Sequence, residues 1–246
     1  MRRAALAALA VLAVAAPARA APRLVIWAWE RPEDLRFAPP QADVAAQTGF
    51  VVLTGEGVFV RRRRFPLRTS RPPETAVVHV QIDHHAPLAW TAAQRRKAAA
   101  AVLQIGQAPG VRRLQVDFEV RRSERPVLLD LLADVRRGLP RGVSLSMTAL
   151  ASWCETEAWL NRAPVDEIVP MLFRMGPGGA PIRAKLEAGG DFAEPRCRGA
   201  LAVSTDAPLR RAPTGRRVYL FSPRSWTAAD FEAVRRRVET WSSGGG

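Results

Sequence analysis

The sequence contains few cysteines, histidines and lysines, and each shortage excludes a class of protein. Only two cysteines stand among 246 residues, which excludes a small fold built from disulfides. Of the three histidines, His84 and His85 are adjacent and would point to opposite sides of a strand, and His79 stands apart from them. None lies in a His-x-Glu or His-Glu-x-x-His spacing, so the sequence predicts no metal site, and no cofactor is expected.

What the chain does contain is typical of a folded protein. Hydrophobic residues make up 48% of it, enough to form the core of a large domain and too many for a disordered chain. The formal net charge is +14, almost all of it from arginine, because Lys97 and Lys185 are the only lysines. The arginines are spread along the chain in pairs and form no binding stripe, so no nucleic-acid partner is expected.

The first twenty residues predict a secretory signal peptide. Arg2 and Arg3 precede an apolar run over residues 4–16, and residues 18–20 read Ala-Arg-Ala, with small residues at the two positions that a signal peptidase reads. The apolar run is too short to span a membrane, and no later run approaches the roughly 20 residues that a spanning helix needs. We therefore expect cleavage after residue 20, a periplasmic or secreted protein, and no transmembrane segment in the mature chain.

Short apolar runs alternate with helical patterns along the rest of the chain. Eight runs predict strands, over residues 24–30, 43–48, 76–83, 113–119, 143–151, 167–173, 200–204 and 217–221. Five stretches predict helices, over residues 91–106, 123–137, 154–161, 181–188 and 227–241, with 242–246 as a flexible tail. Residues 50–54 and 58–60 flank Gly-Glu-Gly and predict a β-hairpin.

Eight strands alternating with helices predict an α/β fold with a parallel sheet. We expect one domain over residues 21–241, a (β/α)8 TIM-like barrel with an inserted hairpin. Because the mature chain is shorter than the roughly 250 residues usual for this fold, some crossovers must be short or irregular. The alternative is an open doubly wound parallel sheet. Against it, Glu30-Arg-Pro-Glu follows the first strand where a glycine-rich turn would be expected.

Polar residues on three predicted strands mark the expected site. Asp117 and Glu119 lie two apart on one strand face, near the carboxyl end, where barrel enzymes place their chemistry. Such a pair can supply the acid that protonates a glycosidic oxygen, so both are predicted to be catalytic, with Asp117 setting the proton affinity of Glu119. The alternative is a structural role in which both carboxylates pair with arginines.

Other residues near predicted strand ends are candidates for substrate binding. They are Trp29, Glu30, Asp83, Trp153 and Arg174. Tryptophan rings can stack on sugar faces, although tryptophans are also typical core residues.

The cysteine pair and a dense run of arginines each have two possible interpretations. Cys154 and Cys197 form a possible disulfide in an exported protein, although their positions after and before a strand place them at opposite ends of the barrel. The dense run Arg61 to Arg64 is either a solvated strand end or a surface that attracts an anionic envelope polymer.

Several longer motifs resemble an uncharacterised bacterial domain-of-unknown-function family, number 3142. They are Trp27 to Phe37, Ser123 to Pro126, Thr148 to Cys154, Asp166-Glu167, Pro170 to Gly176 and Ser204 to Asp206. The resemblance implies a glycosidase-type barrel, with residues 43–48 as the second strand and the hairpin inserted after it. It carries over no established reaction or catalytic residues. The family usually has Asp-Phe-Asp where this chain has Asp117-Phe118-Glu119.

Three classes of function follow from these patterns. A carbohydrate-active hydrolase comes first, because inward carboxylates and tryptophans at the strand ends suit a glycan. A non-catalytic glycan-binding barrel and a structural or assembly component of the cell envelope are the alternatives.

Overall fold

Eight parallel strands close into a barrel in the computed structural model, which describes residues 23–176 and 178–243. The predicted signal peptide, residues 1–20, lies outside this range, as do the last three residues of the predicted tail. No helix within the described part of the chain is long and apolar enough to cross a membrane.

The barrel strands correspond to the eight predicted ones. They are β1 (Arg23–Ala28), β3 (Asp43–Thr54), β6 (Thr75–Ile82), β7 (Arg113–Asp117), β8 (Ser144–Leu150), β9 (Glu167–Met171), β10 (Ala200–Ser204) and β11 (Arg217–Phe221). Three further strands lie outside the ring: β2 (Glu33–Asp34), β4 (Gly57–Arg62) and β5 (Leu67–Arg68). Because β1 pairs with both β3 and β11, the eight parallel strands form a closed ring. The TIM-like barrel is thus confirmed, and the open doubly wound sheet is wrong.

Helices cover only part of the barrel. They are α1 (Ala92–Gly106), α2 (Arg125–Gly138), α3 (Trp153–Thr156), α4 (Gly179–Glu187) and α5 (Ala228–Ser243). The Thr91 side chain caps α1 by accepting the backbone N–H of Gln94 at 3.2 Å. Helix α5 continues through Ser243, two residues beyond its predicted end, so the first part of the predicted tail is helical. Neither crossover on the two sides of β3 contains an α-helix.

The hairpin is an extension of the second barrel strand and does not follow it as an insertion. Strand β3 pairs with β6 along most of its length, with a register shift between Gln47 and Gly49, and its second half also pairs antiparallel with β4. A Cβ atom at Gly49 would lie 2.5 Å from the carbonyl oxygen of Arg61, so only glycine allows this close pairing. The bulge lets one strand serve both the barrel and the hairpin.

The amino end of the barrel interior contains a cluster of polar side chains. At the amino end, Glu167 forms an ion pair with Arg217 and accepts hydrogen bonds from Tyr219 at 2.7 Å and Ser146 at 3.0 Å. Burial first, and the charge of Glu167 second, raise the pKa of Tyr219. Arg113 lies 3.4 Å from the same carboxylate. These contacts satisfy the Glu167 carboxylate, which would otherwise be costly to bury, so Glu167 has a structural role at this end.

Cys154 and Cys197 form a disulfide, with their Cα atoms 6.0 Å apart. Both are fully buried in the layer outside the barrel. The crossover after β8 consists of a short helix and a turn, which lets the segment before β10 pass beside it. The backbone N–H of Glu194 accordingly donates to the carbonyl oxygen of Cys154 at 2.9 Å. The predicted separation of the two cysteines at opposite ends is wrong, because both lie in the layer outside the barrel and are close enough to be bonded.

Candidate functional site

The carboxyl ends of the eight strands form the barrel mouth, where the chemistry of this fold is usually placed. Residues two apart on a strand share a face, so the inward face of β6 reaches the mouth at His79 and that of β7 at Asp117. These two residues are direct partners in the strand register. Thr148 of the next strand lies beside Asp117 on the inward face. The pleat of three neighbouring strands therefore places these polar side chains together.

Asp117 connects these side chains through its two carboxylate oxygens. Its Oδ2 accepts a hydrogen bond from His79 Nδ1 at 2.8 Å, and its Oδ1 accepts one from the Thr148 hydroxyl at 2.7 Å. Asp117 is buried, whereas the His79 side chain is 28% exposed. A buried carboxylate that fixes the Nδ1 side of an accessible imidazole is the arrangement that orients a histidine for proton transfer. The other ring nitrogen, Nε2, does not contact Asp117.

The surroundings of His79 favour its protonated form. Burial acts to lower the pKa of His79, but the hydrogen bond and charge of Asp117 raise it. A hydrogen bond with Gln81 and the charge of Glu119 act in the same direction. The pKa of His79 therefore lies above its ordinary value.

Glu119 lies at the mouth and is exposed. Its carboxylate forms no hydrogen bond or ion pair with the described residues, although its charge reaches His79. Asp117 and Glu119 therefore both lie at the barrel mouth, and the charges of both act on His79. Neither of these two carboxylates pairs with an arginine among the described residues, as the structural alternative required. The sequence interpretation missed His79 as their partner, although its position on the polar face of its strand could have indicated it.

Glu30 lies at the mouth but has a structural role that the sequence interpretation did not assign. Its side chain is 6% exposed, forms an ion pair with Arg61, and accepts the backbone N–H of Arg64 at 3.1 Å. Burial acts to raise the pKa of Glu30, but the hydrogen bonds from Arg61 and Arg64 and the neighbouring arginine charges lower it overall. The predicted substrate-binding carboxylate is thus occupied by the arginine run. The Arg61 guanidinium also lies 4.0 Å above the Phe50 ring, which contacts His79 edge-on.

The arginine run is divided between the barrel and the solvent. Arg63 donates hydrogen bonds to four carbonyl oxygens, including that of Ala28 at the end of β1 and that of Gln47 at the register shift in β3. Arg62 and Arg64 are exposed. The interpretation of the whole run as a solvated strand end is therefore wrong for its two inward-facing members.

An aromatic cavity of about 290 Å³ lies across the mouth from His79, at the ends of β1, β9, β10 and β11. Its wall includes Trp29 and Phe173, whose rings pack on Phe221 with centroid distances of 5.6 and 4.6 Å. Arg174 and Asp206 lie at its polar side. Two predicted substrate-binding residues, Trp29 and Arg174, thus meet in one cavity.

Two other predicted substrate-binding residues have different surroundings. Trp153 is 5% exposed and packs edge-on against Trp159 at 5.2 Å in the outer core, which leaves no face for a sugar ring. Asp83 accepts the backbone N–H of His85 at 3.0 Å and so stabilises the turn after β6. His84 Nε2 lies 2.6 Å from Glu124 Oε1, within hydrogen-bond distance. Within the described residues, no group of three histidine, cysteine or acidic side chains could hold a metal ion.

No family model, curated protein or solved structure matches the chain. The resemblance to family 3142 therefore stays a prediction, and the interpretation of the site rests on its own geometry.

Proposed function

We propose that this protein is a carbohydrate-active barrel enzyme that cleaves a glycosidic bond by proton transfer at the barrel mouth. The observation that carries the proposal is the Asp117–His79 contact of 2.8 Å at the barrel mouth, where the exposed carboxylate of Glu119 also acts on His79 through its charge. Acid–base cleavage of a glycosidic bond needs two such groups, one to give a proton and one to take it.

The two groups have different surroundings, which assigns their roles. The raised pKa increases the protonated fraction of His79, so this residue is the proton donor of the proposed step, and Asp117 stabilises its positive charge. The Glu119 carboxylate is exposed and forms no hydrogen bond or ion pair with the described residues, so an attacking water molecule can reach it. We therefore assign the acid to His79 and the base to Glu119, the reverse of the sequence prediction for Glu119.

The proposed hydrolysis transfers two protons, one to Glu119 and one from His79. Glu119 takes a proton from a water molecule as the water oxygen attacks the anomeric carbon. The bond between that carbon and the glycosidic oxygen breaks, and His79 gives its proton to the leaving oxygen. Exchange of protons with solvent restores both groups. Asp117 acts on His79 alone, and Thr148 fixes the second oxygen of that carboxylate.

Two further features support a glycan substrate and an exported protein. Trp29 and Phe173 present aromatic rings at the mouth, and such rings stack on the apolar faces of sugars. A buried disulfide suits an oxidising compartment, in agreement with the proposed removal of residues 1–20 and a periplasmic or secreted location.

The proposal is tested by turnover on a panel of plant and bacterial-envelope glycans, measured as the release of reducing ends. His79→Gln and Glu119→Gln should each lower the rate by roughly 10²–10⁴-fold. His85→Gln and Glu56→Gln are matched controls, because both native side chains are exposed and neither belongs to the proton-transfer site. Thermal melting of each variant separates lost chemistry from lost folding.

The outcomes distinguish the remaining classes of function. Binding of a glycan without turnover would replace the enzyme by a glycan-binding barrel. Turnover that survives in His79→Gln would refute the assigned acid. The absence of both binding and turnover across the panel would favour a structural component of the envelope.

A further inference from the structure

Arg174 differs from the arginines around it because it has no partner among the described residues. Arg31, which lines the same cavity, donates to the carbonyl oxygens of Ser222, Pro223 and Arg224 and pairs with Glu33. Arg174 is exposed and forms no hydrogen bond or ion pair of this kind. Its guanidinium is therefore available to a ligand in the cavity.

The backbone of Arg174 has an unusual conformation. Its φ angle is +51°, in the left-handed region that residues other than glycine adopt rarely. Such residues cluster at ligand-binding sites, where the surrounding chain imposes the conformation. Here the loop after β9 turns at this position and places the residue in the cavity wall. A glycine would fit the backbone better, so the arginine side chain itself is the feature that needs a reason.

The rest of the cavity selects among the possible ligands of Arg174. Trp29 and Phe173 supply an aromatic surface, which suits the apolar face of a sugar ring. The Asp206 carboxylate lies in the same wall, where it accepts the Ser204 hydroxyl and can accept hydroxyls of a ligand. Asp206 would repel a small inorganic anion, and a neutral sugar would leave Arg174 unpaired. A ring that carries both a carboxylate and hydroxyl groups satisfies the two charged residues together.

We infer that this cavity is a subsite for a carboxylate-bearing sugar, a hexuronate residue of an acidic glycan. Arg174 would bind the sugar carboxylate through paired hydrogen bonds, Asp206 would accept sugar hydroxyls, and Trp29 would stack on the ring. The cavity volume of about 290 Å³ lies at the lower end of ligand pockets, as expected for one ring. This inference rests on the proposed function and names its substrate class.

The test is calorimetric titration of the whole protein with trigalacturonate and triglucuronate. The control ligands are the same trisaccharides with methyl-esterified carboxyl groups, which keep the sugar skeleton and remove the charge. Sodium sulfate at matched ionic strength serves as the simple anion. We expect the free acids to bind about tenfold or more tightly than the esters, and sulfate to bind negligibly.

Two variants of Arg174 and one control variant test whether Arg174 causes the preference for the free acids. Arg174→Gln and Arg174→Gly should each remove the preference for the acid, and the glycine variant should fold at least as well as the native chain because φ is positive there. Arg141→Gln is the matched control, since that arginine is exposed in the loop before β8, at the opposite end of the barrel. It should keep the preference unchanged.

The results separate this inference from the proposed function. Equal binding of acids and esters, or a preference that survives in Arg174→Gly, would overturn the acidic subsite and leave the carbohydrate proposal intact. Failure of every trisaccharide and of the broader glycan panel to bind would overturn both. Both proposals would be supported if His79→Gln loses turnover and if only the Arg174 variants lose the preference for the free acids.

Discussion

Removal of the Cys154–Cys197 disulfide should destabilise the barrel substantially. The bond closes a loop with a sequence separation of 43 residues. In the chain-entropy treatment, a cross-link of this span restricts the unfolded chain by about 4 kcal/mol at 25 °C. For a domain of this size, each kcal/mol changes the melting temperature by about 2–4 °C, so the expected decrease is roughly 8–16 °C. No α-helix spans the full β8–β9 crossover, and the disulfide links this crossover covalently to the segment before β10.

The assay is thermal and urea unfolding of the oxidised protein beside the Cys154→Ala/Cys197→Ala variant. Native protein treated with dithiothreitol separates the lost cross-link from the lost packing of the buried sulfur atoms. The reductant should lower the melting temperature of the native chain and leave that of the double variant unchanged. A double variant that melts within about 2 °C of the oxidised native chain would refute the reasoning.

Further predictions concern other parts of the barrel. Glu167→Gln leaves buried arginines without their counter-charge and should cost about 3–5 kcal/mol in urea unfolding; a cost below 1 kcal/mol would contradict that role. Arg63→Gln should lower the melting temperature by several degrees because four carbonyl oxygens lose a donor, whereas Arg62→Gln should change it little. Asp117→Asn should lower the pKa of His79 in an NMR titration; an unchanged pKa would show that the carboxylate does not control it. Because that pKa is raised on folding, the stabilisation by His79 should be complete below about pH 6.5 and be lost as the pH rises through the folded value, which urea unfolding across pH 5–9 measures against His79→Gln.

The architecture could be predicted because each strand carries its own local signal. Apolar runs of strand length recur eight times, and the capping residue Thr91 and the proline at 126 mark where two helices begin. The closure of the sheet followed from the number of strands and the lack of a glycine-rich first turn. The continuous strand β3 could not be predicted, since Gly49 resembles a break in the sequence and acts as a point of close pairing in the structure.

The candidate site could be predicted only in part. Strand alternation identified the inward position of Asp117, whereas Glu119 lies two residues beyond the end of β7 and is exposed. The partner of Asp117 depends on the register between β6 and β7, which no local pattern encodes. Likewise, Trp29 and Trp153 both follow strands, yet one lies at the mouth and the other begins the short helix α3 and packs in the outer core. Tertiary packing decides between such positions.

The most direct measurement is a crystal structure of the protein with an oligosaccharide that it binds. We predict that the glycan lies across the barrel mouth, with one ring stacked on Trp29 and a glycosidic oxygen within hydrogen-bond distance of His79 Nε2. The attacked carbon should face Glu119. A glycan bound away from the mouth, or one whose glycosidic oxygens all lie out of reach of His79, would contradict the proposed acid–base site.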